Sequence, residues 1–251
     1  YFVEKNDGLQ NQDVYYIMDG IDDAPRVFID PNTLSGEGTI AVTSVKVSDD
    51  SRYAAYGIAR AGSDWKEIYV RDMKTGEDLE DHIMWTKFAS AAWYKDGFFY
   101  SRFEEPEEGE ELSGMNLNNK VYYHKIGTDQ SEDRVVYFNP QRNDLTYIPL
   151  ISRGSPYLML YPFESTSGNA ILVADLSAGD WKFREVLEGF EYNYNPAGII
   201  AERLYLHTDR DAGKYRVVAV DLKEGGDLIE IIPEQEEKVI SGAYVAKDKL
   251  V

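Results

Sequence analysis

Three histidines, His82, His124 and His207, and two glycine–serine turns, Gly62-Ser63-Asp64 and Arg153-Gly154-Ser155-Pro156, are the residues of this chain best suited to nucleophilic catalysis. A hydrolase serine needs a Gly-x-Ser-x-Gly bend between a strand and a helix, so that its hydroxyl projects beside an oxyanion hole and within reach of a base. Neither turn has the second glycine or a helical pattern after it, and the histidines fall in three different sequence repeats. They read as ordinary strand or loop residues, so no catalytic residue is assigned.

Metal chemistry is no better served. The Asp209-Arg210-Asp211-Ala212-Gly213 stretch opens like a calcium loop, but the ligand pattern fails after Asp211 and Val220 stands where the closing carboxylate belongs. It reads as a hairpin turn. The run Glu104, Glu105, Glu107, Glu108, Glu110, Glu111 reads as a solvated, mobile loop, as runs of like charge usually are. There are no cysteines, which excludes a disulfide framework and thiolate ligands and suits a reducing cytoplasm, with a periplasmic location as the other option. No metal and no cofactor is expected.

The elements that carry these residues repeat. An apolar-alternating strand, an Asp or polar residue and a glycine-containing turn recur about every 50 residues: Tyr16 to Gly20, Tyr69 to Gly76, Tyr122 to Gly127, Leu172 to Gly179 and Val218 to Gly225. Asp19, Asp72, Lys125, Asp175 and Asp221 take equivalent places. Short strands punctuated by turns at this period, with no sustained 3.6-residue periodicity, predict an all-β fold: a β-propeller with one four-stranded blade per repeat. In particular, Asp72, Asp175 and Asp221 should each end the third strand of a blade and begin a tight turn.

Taken blade by blade, Tyr1 to Leu34 supplies three strands. Complete blades cover Ile40 to Glu80, Thr86 to Phe138 (opening with a strand at Phe88 to Trp93), Leu145 to Leu187, and Tyr192 to Ile232. A further inner strand is expected at Val239 to Tyr244. That makes about five to six blades in one domain spanning residues 1–251. The unpaired strand edges this leaves, and a first residue that is not Met, mark the segment as a partial propeller. Trp65, Trp93 and Trp181 are assigned to packing between blades.

Composition narrows the partners. With 26 basic and 45 acidic residues the net charge is −19, so nucleic acid and anionic bilayers are repelled. The longest apolar runs, such as Tyr157 to Tyr161, are too short to span a membrane as a helix.

Several ordered stretches are more specific: Lys5-Asn6-Asp7-Gly8-Leu9-Gln10-Asn11-Gln12, Phe28-Ile29-Asp30-Pro31-Asn32, Tyr56-Gly57 with Gly62-Ser63-Asp64-Trp65, Lys87-Phe88 with Ala92-Trp93, and Tyr122-Tyr123-His124 with Gly127-Thr128-Asp129-Gln130-Ser131-Glu132-Asp133. In these the chain resembles the propeller of prolyl oligopeptidase, a serine peptidase that cleaves short peptides after proline. The matches are dense to about Asp133 and thinner beyond.

The resemblance implies a seven-bladed propeller that covers the active site of an α/β-hydrolase domain of the same polypeptide, with the catalytic residues in that domain and none in these 251. It implies short proline-containing peptides as substrates, and a place for the acidic loop near the domain interface. It also implies an aromatic at Phe88 lining the substrate pocket, with Thr166 at a second pocket position beside Phe163. Without the resemblance, an aromatic on an inner strand next to Ala89 and Ala91 reads as core. The rival to the peptidase reading is a stand-alone propeller acting as a protein-interaction scaffold.

Overall fold

In a computed structural model of the chain, all residues are described except Glu37, Ala89, Glu108, residues 110–115, Glu224 and Lys247. The described residues form twenty-one strands and four short 3-10 turns. The first sheet contains β1 (Phe2–Lys5), β2 (Val14–Ile17) and β3 (Arg26–Ile29). The second contains β4 (Ile40–Val47), β5 (Tyr53–Arg60), β6 (Lys66–Asp72) and β7 (Asp78–Thr86). The third contains β8 (Ala92–Tyr94), β9 (Gly97–Arg102), β10 (Lys120–Lys125) and β11 (Arg134–Tyr137).

The fourth sheet is built from β12 (Thr146–Ile151), β13 (Tyr157–Phe163), β14 (Ile171–Asp175) and β15 (Arg184–Leu187). The fifth has β16 (Tyr194–Ile200), β17 (Arg203–Thr208), β18 (Arg216–Asp221) and β19 (Ile229–Ile232). Last comes a hairpin of β20 (Val245–Ala246) and β21 (Lys249–Leu250). Strands neighbour each other in chain order within every sheet. The anticipated sequence of a three-stranded piece, four four-stranded blades and a fragment is therefore present.

The chain divides into two compact units, residues 1–105 with 122–134, and residues 106–121 with 135–251. In the first unit the core lies between sheets stacked face to face. Strand β5 shows why: Ala54, Tyr56 and Ile58 point one way and pack with Ile17, Phe28 and Ile29, while Ala55 points the other way and packs with Trp93, Phe98 and Tyr100. Alternation along a strand with apolar residues on both faces is the mark of a sheet buried on both sides. Each large ring fully buried here contributes about 1.5–3 kcal/mol.

In the second unit Met159, Ile171, Val173 and Leu187 of the fourth sheet pack with Leu204, Leu206, Val218 and Val220 of the fifth.

The repeat has a concrete cause. Asp72, Asp175 and Asp221 are the last residues of β6, β14 and β18, each the third strand of its sheet. Each carboxylate accepts the backbone N–H two residues on, from Lys74, Ser177 and Lys223, all at 2.8 Å. A short acidic side chain closing its own turn in this way is why Asp recurs there.

Two expected strands are corrected. Phe88 does not open an inner strand, because β7 runs on to Thr86 and β8 begins only at Ala92. Val239 to Tyr244 is not a strand either: the Ile240 N–H is taken by the Lys214 carbonyl and the Ile240 carbonyl by His207, so this backbone is held by a turn and a ring. The hairpin follows it instead, at β20 and β21.

Candidate functional site

One end of the first unit gathers the residues with the greatest functional promise. Antiparallel order brings the exit of β5, the entry of β6, the exit of β7 and the exit of β9 to that end, so residues 61–65, 87–88 and 103–105 emerge together. The Trp65 ring meets Trp85 edge-on (centroids 5.5 Å apart) and Phe103 likewise at 6.0 Å. Edge-to-face contacts of this kind favour a fixed geometry. The Phe103 N–H donates to the Trp85 carbonyl at 3.0 Å, and the buried Thr86 hydroxyl donates to the Lys66 carbonyl at 2.8 Å.

Phe88, two residues beyond the end of β7, has 54% of its surface exposed. Core packing, the reading its neighbours invited, is therefore corrected: the ring leaves the strand after two buried residues and faces out. Lys87, only 9% exposed, lays its ammonium 4.1 Å above the Trp65 ring. Burial pulls the Lys87 pKa down, and the charge of Asp64 only partly opposes this.

Thr166 belongs to the second unit, where it is exposed in the connection between β13 and β14. Nearby, Arg142 is held by Asp144 at 2.9 Å and Glu164 at 2.5 Å. Of the acidic run, Glu104, Glu105 and Glu107 are exposed, while Glu108, Glu110 and Glu111 lie outside the described residues.

The three histidines lie on β7, β10 and β17, in three sheets. Two are locally accommodated: His82 stacks on Tyr69 and meets Glu67, and His207 stacks on Tyr215. His124 is different. It has no exposed side-chain surface, and its two ring nitrogens lie 2.8 Å from Asp133 Oδ1 and 2.9 Å from Asp81 Oδ1.

Burial by itself would lower the His124 pKa, but the hydrogen bonds and charges of Asp133 and Asp81 outweigh it and raise it to about 9. Asp81 also accepts the Gly127 N–H at 2.7 Å, and Asp133 accepts the Tyr100 hydroxyl at 2.6 Å. Gln130 completes the set by exchanging two hydrogen bonds with the Met84 backbone on β7. The Gly127 to Asp133 stretch is thus a polar staple between the second and third sheets.

The other candidates serve turns. The Ser63 hydroxyl accepts the Trp65 N–H and the Ser155 hydroxyl the Tyr157 N–H. Asp209 to Gly213 lies in the bend between β17 and β18, closed by the Ala212 N–H on the Asp209 carbonyl. Trp93 is buried between sheets as expected, but Trp65 sits at the sheet ends, and Trp181 is only half-buried beyond β14. Among the described residues, no group of three or more His, Asp or Glu side chains is placed to hold a metal ion. Nor is any helix long and apolar enough to cross a membrane.

A family model described as the prolyl oligopeptidase N-terminal beta-propeller domain matches residues 1–251. The chain belongs to this family. Prolyl endopeptidase of Elizabethkingia meningoseptica is 37% identical to it over 226 residues, covering 88% of the chain and 31% of the relative. The dual function macrocyclase-peptidase POPB of Galerina marginata is 31% identical over 272 residues, covering 97% and 37% respectively.

A prolyl endopeptidase structure, from work on inter-domain dynamics in catalysis and specificity, superimposes with a TM-score of 0.87 at 26% identity, over 99% of this chain and 36% of that one. Prolyl oligopeptidase B from Galerina marginata, bound to a 35-residue hydrolysis and macrocyclization substrate, gives 0.84 at 29% identity over 98% and 37%. This propeller therefore spans 31% to 37% of the length of these relatives.

Sequence reasoning missed Asp81, His124 and Lys87 as residues with particular roles. The signals were present: a histidine amid aromatic residues on a strand, a polar motif seven residues long shortly after it, and a lysine beside an aromatic on the residues that resemble the family.

Proposed function

We propose that this propeller, acting as one incomplete domain over residues 1–251, gates and selects substrate for a prolyl-oligopeptidase-type serine endopeptidase that cleaves short peptides after proline. Its partner in this reading is an α/β-hydrolase domain of the same polypeptide, which supplies nucleophile, base and oxyanion donors. Phe88 is the pocket wall, and Thr166 a second lining residue. The observation that carries the reading is the exposure of Phe88 one residue beyond Lys87, whose ammonium lies over a Trp65 ring that Trp85 and Phe103 meet edge-on. An apolar ring held out on a rigid support supplies contact area for a proline ring at small entropic cost.

The physical logic of the gate is exclusion. A propeller stacked over a hydrolase site admits an unfolded peptide and rejects a folded protein by size, so selectivity requires no catalytic group in the propeller. The absence of cysteine suits a cytoplasmic enzyme. The test is cleavage by the full-length protein of Gly-Pro peptides of increasing length beside a folded, proline-rich protein. Cleavage after proline confined to the short peptides is expected. Absence of post-proline cleavage would overturn the reading and favour an interaction scaffold.

A further inference from the structure

We propose that Lys87 is a positioning residue for substrate binding: its ammonium, seated on the Trp65 face, fixes the chain so that the Phe88 ring stands out toward bound peptide. The inference rests on the proposed role of Phe88 as a pocket wall.

The chain leaves β7 at Thr86, whose buried hydroxyl is tied to the Lys66 carbonyl, and Trp85 just before it accepts the Phe103 N–H. Lys87 is the last buried residue before the exposed ring. A lysine here could reach solvent, since its stem is long and flexible and its charge is strongly hydrated. Instead it folds back onto an indole, the strongest cation–π acceptor among side chains.

That indole is itself pinned by Trp85 and Phe103 from the exits of β7 and β9. Three side chains thus converge on Trp65, and Lys87 ties the backbone of its neighbour Phe88 to them. Burial costs the ammonium hydration, so the arrangement is maintained by the ring face and by the nearby charge of Asp64. Remove the cation, and residues 87 and 88 lose their anchor while every strand remains intact. Phe88 then samples several directions, and the substrate bears the cost of ordering it.

A double-mutant cycle in the full-length protein, read with a Gly-Pro fluorogenic peptide, tests this. Lys87→Met is expected to raise KM on the order of three- to tenfold, the range of one cation–π contact, with kcat within about twofold. Lys87→Arg, which keeps a cation over the ring, should restore KM. Trp65→Phe, which keeps an aromatic but weakens the face, should fall between. Because Lys87 acts through Phe88, Lys87→Met combined with Phe88→Ala should be no worse than Phe88→Ala alone. Near-ultraviolet circular dichroism provides a readout independent of activity: Lys87→Met should alter the tryptophan bands and Lys87→Arg should not.

If Phe88→Ala leaves KM unchanged, the pocket reading fails. If Phe88→Ala raises KM while Lys87→Met does not, or the two effects multiply, the pocket reading stands and the positioning role of Lys87 is overturned. A lowered melting temperature in Lys87→Met with KM unchanged would reduce Lys87 to a stability role. Should Lys87→Met fail to fold, Trp65→Phe decides, since an unchanged KM in that variant contradicts the proposal.

Discussion

His124 Nε2 lies 2.9 Å from Asp81 Oδ1, joining the third strand of one sheet to the fourth strand of the sheet before it. With Asp133 on the other ring nitrogen, a charged imidazole is buried between two carboxylates. Such a group is costly to leave half-paired, because removing one partner strands the others in a medium of low dielectric. His124→Ala in the full-length protein should therefore destabilise the propeller by about 3–5 kcal/mol. Denaturant unfolding checks this, and a loss below 1 kcal/mol would show that the staple contributes little.

The same triad sets a pH dependence. The folded pKa of His124, about 9, lies above the ordinary value of 6.5, so its stabilisation is complete below about pH 6 and is lost as pH rises through 9. The loss is on the order of 3 kcal/mol for a shift of that size. Asp81, held below the ordinary carboxylate range as its His124 and Gly127 hydrogen bonds outweigh burial, acts in the opposite direction and loses its contribution only in acid. Unfolding measured from pH 6 to 10 should show stability declining from about pH 6.5 to 9 and levelling off above that in the native protein, and a flatter profile in His124→Gln.

Close approach provides a third expectation. A Cβ added to Gly97 would overlap the His124 carbonyl oxygen and press on the Tyr123 ring. Gly97→Ala must therefore displace β10 from β9. A cost of about 1–3 kcal/mol is expected, read as a lowered melting temperature. Gly62→Ala, whose Cβ would meet nothing within 4 Å but whose φ is +72°, is the comparison for backbone strain alone.

The Asp turn is testable in the same way. Asp175→Ala removes the carboxylate that accepts the Ser177 N–H at the close of β14, and should cost about 1 kcal/mol by chemical denaturation. Asp175→Asn, which keeps the acceptor, should be nearly neutral.

Much of the fold was legible because the repeat has a local cause. Asp72, Asp175 and Asp221 each close their own turn with their own side chain, and local chemistry is what a sequence displays most directly. Strand β7 was harder to see. Its inward face carries Asp81 where an apolar residue would have completed the alternation, and the partners that make a buried carboxylate tolerable, His124 and Gly127, are more than forty residues away. Phe88 misled for the related reason that a neighbour's burial says nothing of which way a chain turns at a strand end. The direction is set by Thr86 and Lys87 through contacts with Lys66 and Trp65, which only the folded sheet brings near.

The most direct test of the central claim, that this propeller forms a wall of a prolyl peptidase pocket, is the paired measurement of KM for a Gly-Pro peptide and of melting temperature in the full-length Phe88→Ala protein. An exposed pocket ring predicts a KM raised about tenfold with the melting temperature shifted by less than a few degrees, since surface truncation away from the core costs within about 0.5 kcal/mol. An unchanged KM with a sharply lowered melting temperature would contradict the account and make Phe88 a stability residue.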